Sequence, residues 1–269
     1  MTRGAVLAGL GAVPLAGCGA HRTSCTDAAV PSATGVRVVR GVVPTKRVRT
    51  VVRYAIAVPD GAPVDAVAYL LPGRGGTADD AIGIGIDGYL AEHVRRGGQR
   101  FAIAAFDAGE SYFHPRANGE DRLGVATVDG PAAVRAALRV PVRGEAIMGE
   151  SMGGYGALLA AEGQPRRYRA VAVASPAIFP SFADEDRSVG DAFDSAADYA
   201  AHDVTAHAAL LRGVPVFLAI GEQDPFLPGV RRFARAYPGG RLTVAPGCHD
   251  VGFWRVHTQA MLAFVGAHL

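Results

Sequence analysis

An α/β fold with a doubly wound, mostly parallel sheet is predicted by three observations. Short apolar runs recur along the chain, segments of helical period separate them, and glycine- or proline-bearing turns join the two. Strands that are apolar throughout are buried on both faces, as in a parallel sheet covered by helices. The 269 residues, 49% apolar and 19% charged, suffice for one large domain and exclude a disordered chain. No internal repeat is visible.

The elements follow in order. Thr50 to Pro59 alternates apolar and polar residues and reads as a strand. Val64 to Leu71 is a second strand, ended by Pro72-Gly73. Asp87 to Arg96 has helical spacing, and Gly97-Gly98 stops it. Phe101 to Phe106 is a short buried strand. Pro131 to Leu138 opens on a proline, whose fixed φ suits a first helical turn. Ala146 to Met148 is a strand that runs into a turn and then a helix, Gly153 to Glu162. Ala170 to Ala174 and Val214 to Ile220 are buried strands. Leu242 to Val244 is a short last strand, and Val256 to His268 a closing helix. The segment 181–207 reads as a small cap over one end of the sheet. Its many carboxylates, Asp184 to Asp203, are expected to form a solvated acidic face rather than a calcium site.

The 27 basic and 25 acidic residues give a net charge of +2, so no polybasic surface for nucleic acid is expected. The N-terminus reads as an address. One charge, Arg3, precedes an apolar stretch from Ala5 to Ala16 that is too short for a permanent membrane span. It ends in Leu15-Ala16-Gly17-Cys18, which resembles a bacterial lipobox. Residues 1–17 are therefore expected to be a signal peptide, with Cys18 lipidated and anchoring the chain to a membrane. A plain secretory signal is the alternative. Residues 18–35 read as a flexible tether and 36–269 as the folded domain. Export permits a disulfide, and Cys25 with Cys248 is the pair that remains.

Gly149-Glu150-Ser151-Met152-Gly153 matches G-x-S-x-G, a strand-to-helix turn that lifts a serine hydroxyl above a sheet edge. Its context is right, with an apolar strand before and a helix after. Such a serine needs a base, and the base needs an orienting acid, in the chain order Ser, Asp or Glu, His. Asp224 follows a buried strand within Gly221-Glu222-Gln223-Asp224-Pro225, and His249 follows the turn Pro246-Gly247-Cys248. The rival acids are Glu222, Asp194, Asp198 and Asp203. The rival bases His202, His207 and His257 fall in helical segments and are expected at the surface. The oxyanion needs two backbone donors. Met152 N–H is one, and the loop Leu71-Pro72-Gly73-Arg74-Gly75-Gly76 supplies the other from Arg74 or Gly75. Glu150, Tyr112, His114 and Trp254 are candidates for the substrate pocket, and Arg116 for meeting a carboxylate or sugar hydroxyl. Trp254 suits packing beside the His249 loop better than substrate contact.

Gly149 to Leu158 (GESMGGYGAL) resembles the putative-esterase branch of the α/β-hydrolases. That branch includes esterase D-like enzymes and secreted mycolyltransferases of the antigen 85 type. Cys248-His249-Asp250 with Phe253-Trp254-Arg255, Arg74-Gly75-Gly76 and Gly221 to Phe226 match its loops in kind. The resemblance runs from about Thr50 to Leu269. It implies an α/β-hydrolase fold with about eight strands, a Ser151, Asp224, His249 triad and action on acyl esters. Many relatives carry histidine where this chain has Pro72, so the first oxyanion loop departs from the family pattern.

The expected function is that of an exported serine esterase acting on a small ester, an acylated carbohydrate or a lipid. Acyl transfer to a sugar hydroxyl in the cell envelope is the second reading, and a non-catalytic glycan-binding protein the third. No cofactor or metal is expected. The histidines lack zinc-ligand spacing, and Gly83 to Gly88 matches G-x-G-x-x-G without a strand directly before it. Oligomeric state is not legible.

Overall fold

The computed structural model describes residues 28–269. The expected signal peptide, the lipidated Cys18 and Cys25 lie outside the described residues. An eight-stranded sheet forms the centre, in the order β1-β2-β4-β3-β5-β6-β7-β8. The strands are β1 (Val36–Val42), β2 (Arg53–Pro59), β3 (Ala66–Leu71), β4 (Ala102–Phe106), β5 (Gly144–Glu150), β6 (Val171–Ala174), β7 (Val216–Gly221) and β8 (Arg241–Ala245). β2 pairs antiparallel with β1 and with β4, and every other pairing is parallel.

Strand alternation divides the core into two layers. Val67, Tyr69 and Leu71 of β3 point to one face, and Ala66, Ala68 and Leu70 to the other. The first face packs against α4 (Gly130–Leu138), α5 (Met152–Gly163) and α8 (Leu227–Ala236). The second is rich in alanine, with Ala146, Ala172, Ala174 and Ala219, which lets the covering helices approach closely. These are α1 (Ala78–Gly83), α2 (Ile86–Arg95) and α9 (Val251–Gly266).

The expected strands and helices are present, with shifted ends. β1 was not anticipated. It is a half-exposed edge strand in which Arg37 and Arg40 interrupt the apolar pattern. α8 is a further helix not among the expected elements; Pro228 stands in its first turn, where a proline is tolerated. The helix expected from Pro131 is the end of a longer path through α3 (Arg122–Gly124) and a π-helical stretch, Val125–Asp129. α9 starts earlier than expected. The Asp250 carboxylate accepts the Phe253 N–H at 2.9 Å, capping the helix directly after His249.

The 181–207 segment holds α6 (Phe182–Ser188) and α7 (Ala196–Ala201), each capped by a serine. Its carboxylates form the expected solvated face in part, with Asp186, Asp191 and Asp194 exposed, but several are also paired. Asp191 pairs with Arg74, Asp194 with Arg116 and Asp203 with Arg232, and buried Glu185 accepts the Ala192 N–H. The acids tie the cap to the body of the protein. The segment expected as a tether also ends earlier than position 35. Val30 and Pro31 lie against Gly85 and Gly88 so closely that neither glycine has room for a side chain. Among the described residues, no helix is long and apolar enough to cross a membrane.

Candidate active site

β5 delivers the chain to Ser151 at the carboxyl edge of the sheet, and α5 leaves from it at once. Ser151 has φ 55° and ψ −124°, a conformation that costs a non-glycine residue on the order of 1–3 kcal/mol. Backbone bonds hold it there. Its N–H donates to Ala174 O at 3.1 Å, and its carbonyl accepts from Tyr155 at 3.1 Å and Ala177 at 2.9 Å. The two glycines of the motif are required by crowding. A side chain on Gly149 would meet the Gly153 carbonyl, and one on Gly153 would meet the Leu71 carbonyl.

Asp224 and His249 come from the turns after β7 and β8. These turns are stitched together. Glu222 N–H donates to Ala245 O at 2.8 Å, Gln223 N–H to Gly247 O at 3.1 Å, and Gly247 N–H to Gln223 Oε1 at 3.0 Å. The stitching brings two residues that are 25 apart in sequence into contact. His249 Nδ1 lies 2.9 Å from Asp224 Oδ2, and His249 Nε2 lies 2.8 Å from Ser151 Oγ. An ionised Asp224 only accepts, so it places the proton on Nδ1 and leaves the Nε2 lone pair facing the serine hydroxyl. The other oxygen, Oδ1, accepts the Phe226 N–H at 2.9 Å. The Asp224 side chain is wholly buried, and that of His249 is 20% exposed, open to solvent at the edge that a substrate would approach.

The rival acids are engaged elsewhere or exposed. Glu222 is exposed, Asp194 and Asp203 pair with arginines, and Asp198 faces His114 and His202. The rival histidines differ from expectation. His202 caps the end of α7 and is half-buried, and His257 is buried in α9 against Phe253.

Met152 is the first residue of α5, so its N–H has no acceptor within the helix and stands beside Ser151. Gly75 is corrected as an oxyanion donor. Its N–H donates to Gly109 O at 2.8 Å, and that of Gly76 to Gly73 O at 3.0 Å. The N–H groups of Gly73 and Arg74 are left as the candidates from this loop, and a Cβ built on Gly73 would lie 3.5 Å from Ser151 Cβ. The Arg74 side chain turns away to Asp191 at 2.8 Å and Glu110 at 3.3 Å, fixing the loop to the cap.

The predicted pocket residues divide. Trp254 is at the site. Its ring meets His249 edge-on at 5.7 Å, and its far edge borders Gly73. Glu150, Tyr112 and His114 are 3%, 3% and 0% exposed, so none of them lines an open pocket. Burial pushes the Glu150 carboxyl up to about 8, so it is held protonated at neutral pH. Tyr112 and His114 belong to an aromatic cluster under the cap with Tyr155, Phe179 and Phe193. Arg116 is a clamp on the cap, bonded to Asp194, Asp191 O and Ala192 O. Sequence reasoning missed Phe226, whose ring lies 5.1 Å from His249 and 5.4 Å from Phe179. Cys248 is half-buried with a free thiol, and its expected partner Cys25 lies outside the described residues.

The profile of the family described as "Putative esterase" matches residues 96–264, which include Ser151, Asp224 and His249. No curated protein matches the chain by sequence. Solved structures match its fold. A ferulic acid esterase superposes with a TM-score of 0.75 at 19% identity, covering 86% of this chain and 98% of its own. An S-formylglutathione hydrolase from Agrobacterium tumefaciens gives 0.72 at 16% identity, covering 91% and 99%. Mycobacterium tuberculosis MPT51 gives 0.70 at 18% identity, covering 86% and 98%. With the sheet order above, these likenesses make the fold that of an α/β-hydrolase.

Proposed function

We propose that this chain, which belongs to the Putative esterase family, is an exported serine esterase that works through an acyl-enzyme on Ser151. Membership of that family makes it a carboxylic ester hydrolase. The mechanism rests chiefly on one observation, the unbroken hydrogen-bond chain from Ser151 Oγ through His249 to Asp224.

In the proposed reaction His249 Nε2 takes the proton of Ser151 as Oγ attacks the ester carbonyl. Asp224 stabilises the imidazolium across the 2.9 Å bond to Nδ1. Met152 N–H and an N–H of the 73–74 segment bind the oxyanion. The imidazolium returns its proton to the alcohol, which leaves. Water, deprotonated by the same histidine, then releases the acid. The Ser151 conformation supports this reading. Strain of that kind persists where the surroundings over-determine it, and here it aims the hydroxyl at His249.

Export rests on the sequence of residues 1–18, with Cys18 as the acylated residue and the catalytic domain held at a membrane surface. An unacylated Cys18 in protein recovered from its host would remove the lipid anchor and leave a plain secretory signal.

The test of the activity is hydrolysis of p-nitrophenyl esters from acetate to palmitate, beside a Ser151→Ala control. Turnover that the control abolishes supports the serine mechanism, and the chain-length optimum reports the acyl pocket. A folded wild-type protein without turnover at any length would overturn it. Added trehalose that diverts the acyl group from water would replace hydrolysis by transfer.

A further inference from the structure

We propose that His114, Asp198 and His202 form a site for a divalent transition-metal ion of the zinc type, which staples the 181–207 cap to the loop after β4. One ligand atom from each lies within 4.8 Å of the other two. His202 Nδ1 is 2.9 Å from Asp198 Oδ1, and His114 Nδ1 is 3.6 Å from Asp198 Oδ2. A tetrahedral ion at about 2.0 Å from each ligand holds them about 3.3 Å apart, so the three ligand atoms, all within 4.8 Å of one another, must draw together slightly around it.

The surroundings orient the ligands. His114 Nε2 is 2.8 Å from Ala192 O, and a carbonyl only accepts. The other ring nitrogen, Nδ1, is 3.3 Å from Pro115 O, so the shorter contact favours the proton on Nε2 and leaves Nδ1 to face Asp198. A backbone carbonyl fixing the tautomer in this way is the usual support of a metal-bound imidazole. Asp198 and His202 are four residues apart at the end of α7, which sets both on one face. The Asp194 N–H donates to Asp198 Oδ2 at 2.8 Å and holds the carboxylate. His202 is the most open of the three, at 23% exposed, and gives the ion a way in.

Two nitrogens and one carboxylate, with water completing the sphere, suit zinc and its neighbours rather than calcium. The ion would join residues 84 positions apart in sequence, next to the aromatic cluster beneath the cap.

The experiment is titration of the chelator-washed full chain with zinc, followed by calorimetry, and with cobalt(II), followed by its visible spectrum. The expected result is about one equivalent bound and a thermal midpoint that rises with zinc. Cobalt should give visible d–d bands without the ultraviolet band of a thiolate ligand. His202→Ala and Asp198→Asn should each weaken binding about tenfold or more. No binding, a thiolate band, or folded variants that bind like wild type would overturn the proposal. Should the variants fail to fold, the cobalt spectrum of the wild type decides it.

Discussion

Gly153, in the first turn of α5, lies so close to the carbonyl of Leu71 at the end of β3 that no side chain fits between them. This approach brings the nucleophile turn and the oxyanion loop together, because Pro72 and Gly73 follow Leu71 directly. Gly153→Ala must therefore push the two apart. A loss of about 3 kcal/mol or more in denaturant unfolding is expected, or no folded protein. An alanine variant of wild-type stability would remove this account of the glycine.

Asp224→Asn keeps the shape of the side chain and reverses the hydrogen-bonding preference at His249 Nδ1. The wrong tautomer then faces Ser151. A fall in kcat of about 10⁴-fold is expected, with the fold retained in circular dichroism. A fall below tenfold would point to another acid.

Arg74 lies in the proposed oxyanion loop and sends its side chain to Asp191 of the cap. Arg74→Ala removes only the side chain. Its ion pairs with the exposed Asp191 and Glu110 are the kind worth about 0–1 kcal/mol. Activity should fall less than about tenfold. A loss as deep as that of Asp224→Asn would mean that the guanidinium touches the substrate.

Two buried carboxyls predict the pH dependence of stability. Burial pushes Glu162 up to about 9, with nearby Asp203 adding repulsion, and Glu150 to about 8. Both pKa values are raised above the unfolded value of 4.5, so the folded state holds more protons between the two limits. Their contribution is full below pH about 4.5 and is lost as pH rises through about 8 and 9. Stability should decline across that window, and Glu162→Gln, which mimics the neutral acid, should flatten the decline. An unchanged slope in urea unfolding at several pH values would contradict this.

The parts of the molecule legible in the sequence are those fixed by local pattern. The run into Gly149-Glu150-Ser151, the helix after it, and the turns bearing Asp224 and His249 each carry a signal within about ten residues. The cap region is set by long-range contacts instead. Tyr112 and His114 were read as pocket residues because they follow a strand at the ligand-binding edge. Which way they point is decided by Phe193 and Ala192, about 80 residues later. Gly75 fitted the oxyanion loop by composition, but the acceptor that occupies its N–H, Gly109 O, belongs to another loop. Asp198 and His202 are four apart in the sequence, but His114, 84 positions before Asp198, joins them only through the fold.

The measurement that tests the central claim most directly is labelling with a fluorophosphonate, which reacts with an activated serine. The account predicts one adduct, on the peptide that carries Ser151, and loss of esterase activity in proportion to labelling. Ser151→Ala should take up no label, and His249→Ala should react far more slowly than wild type. An adduct on another residue, or esterase activity that survives complete labelling, would contradict it.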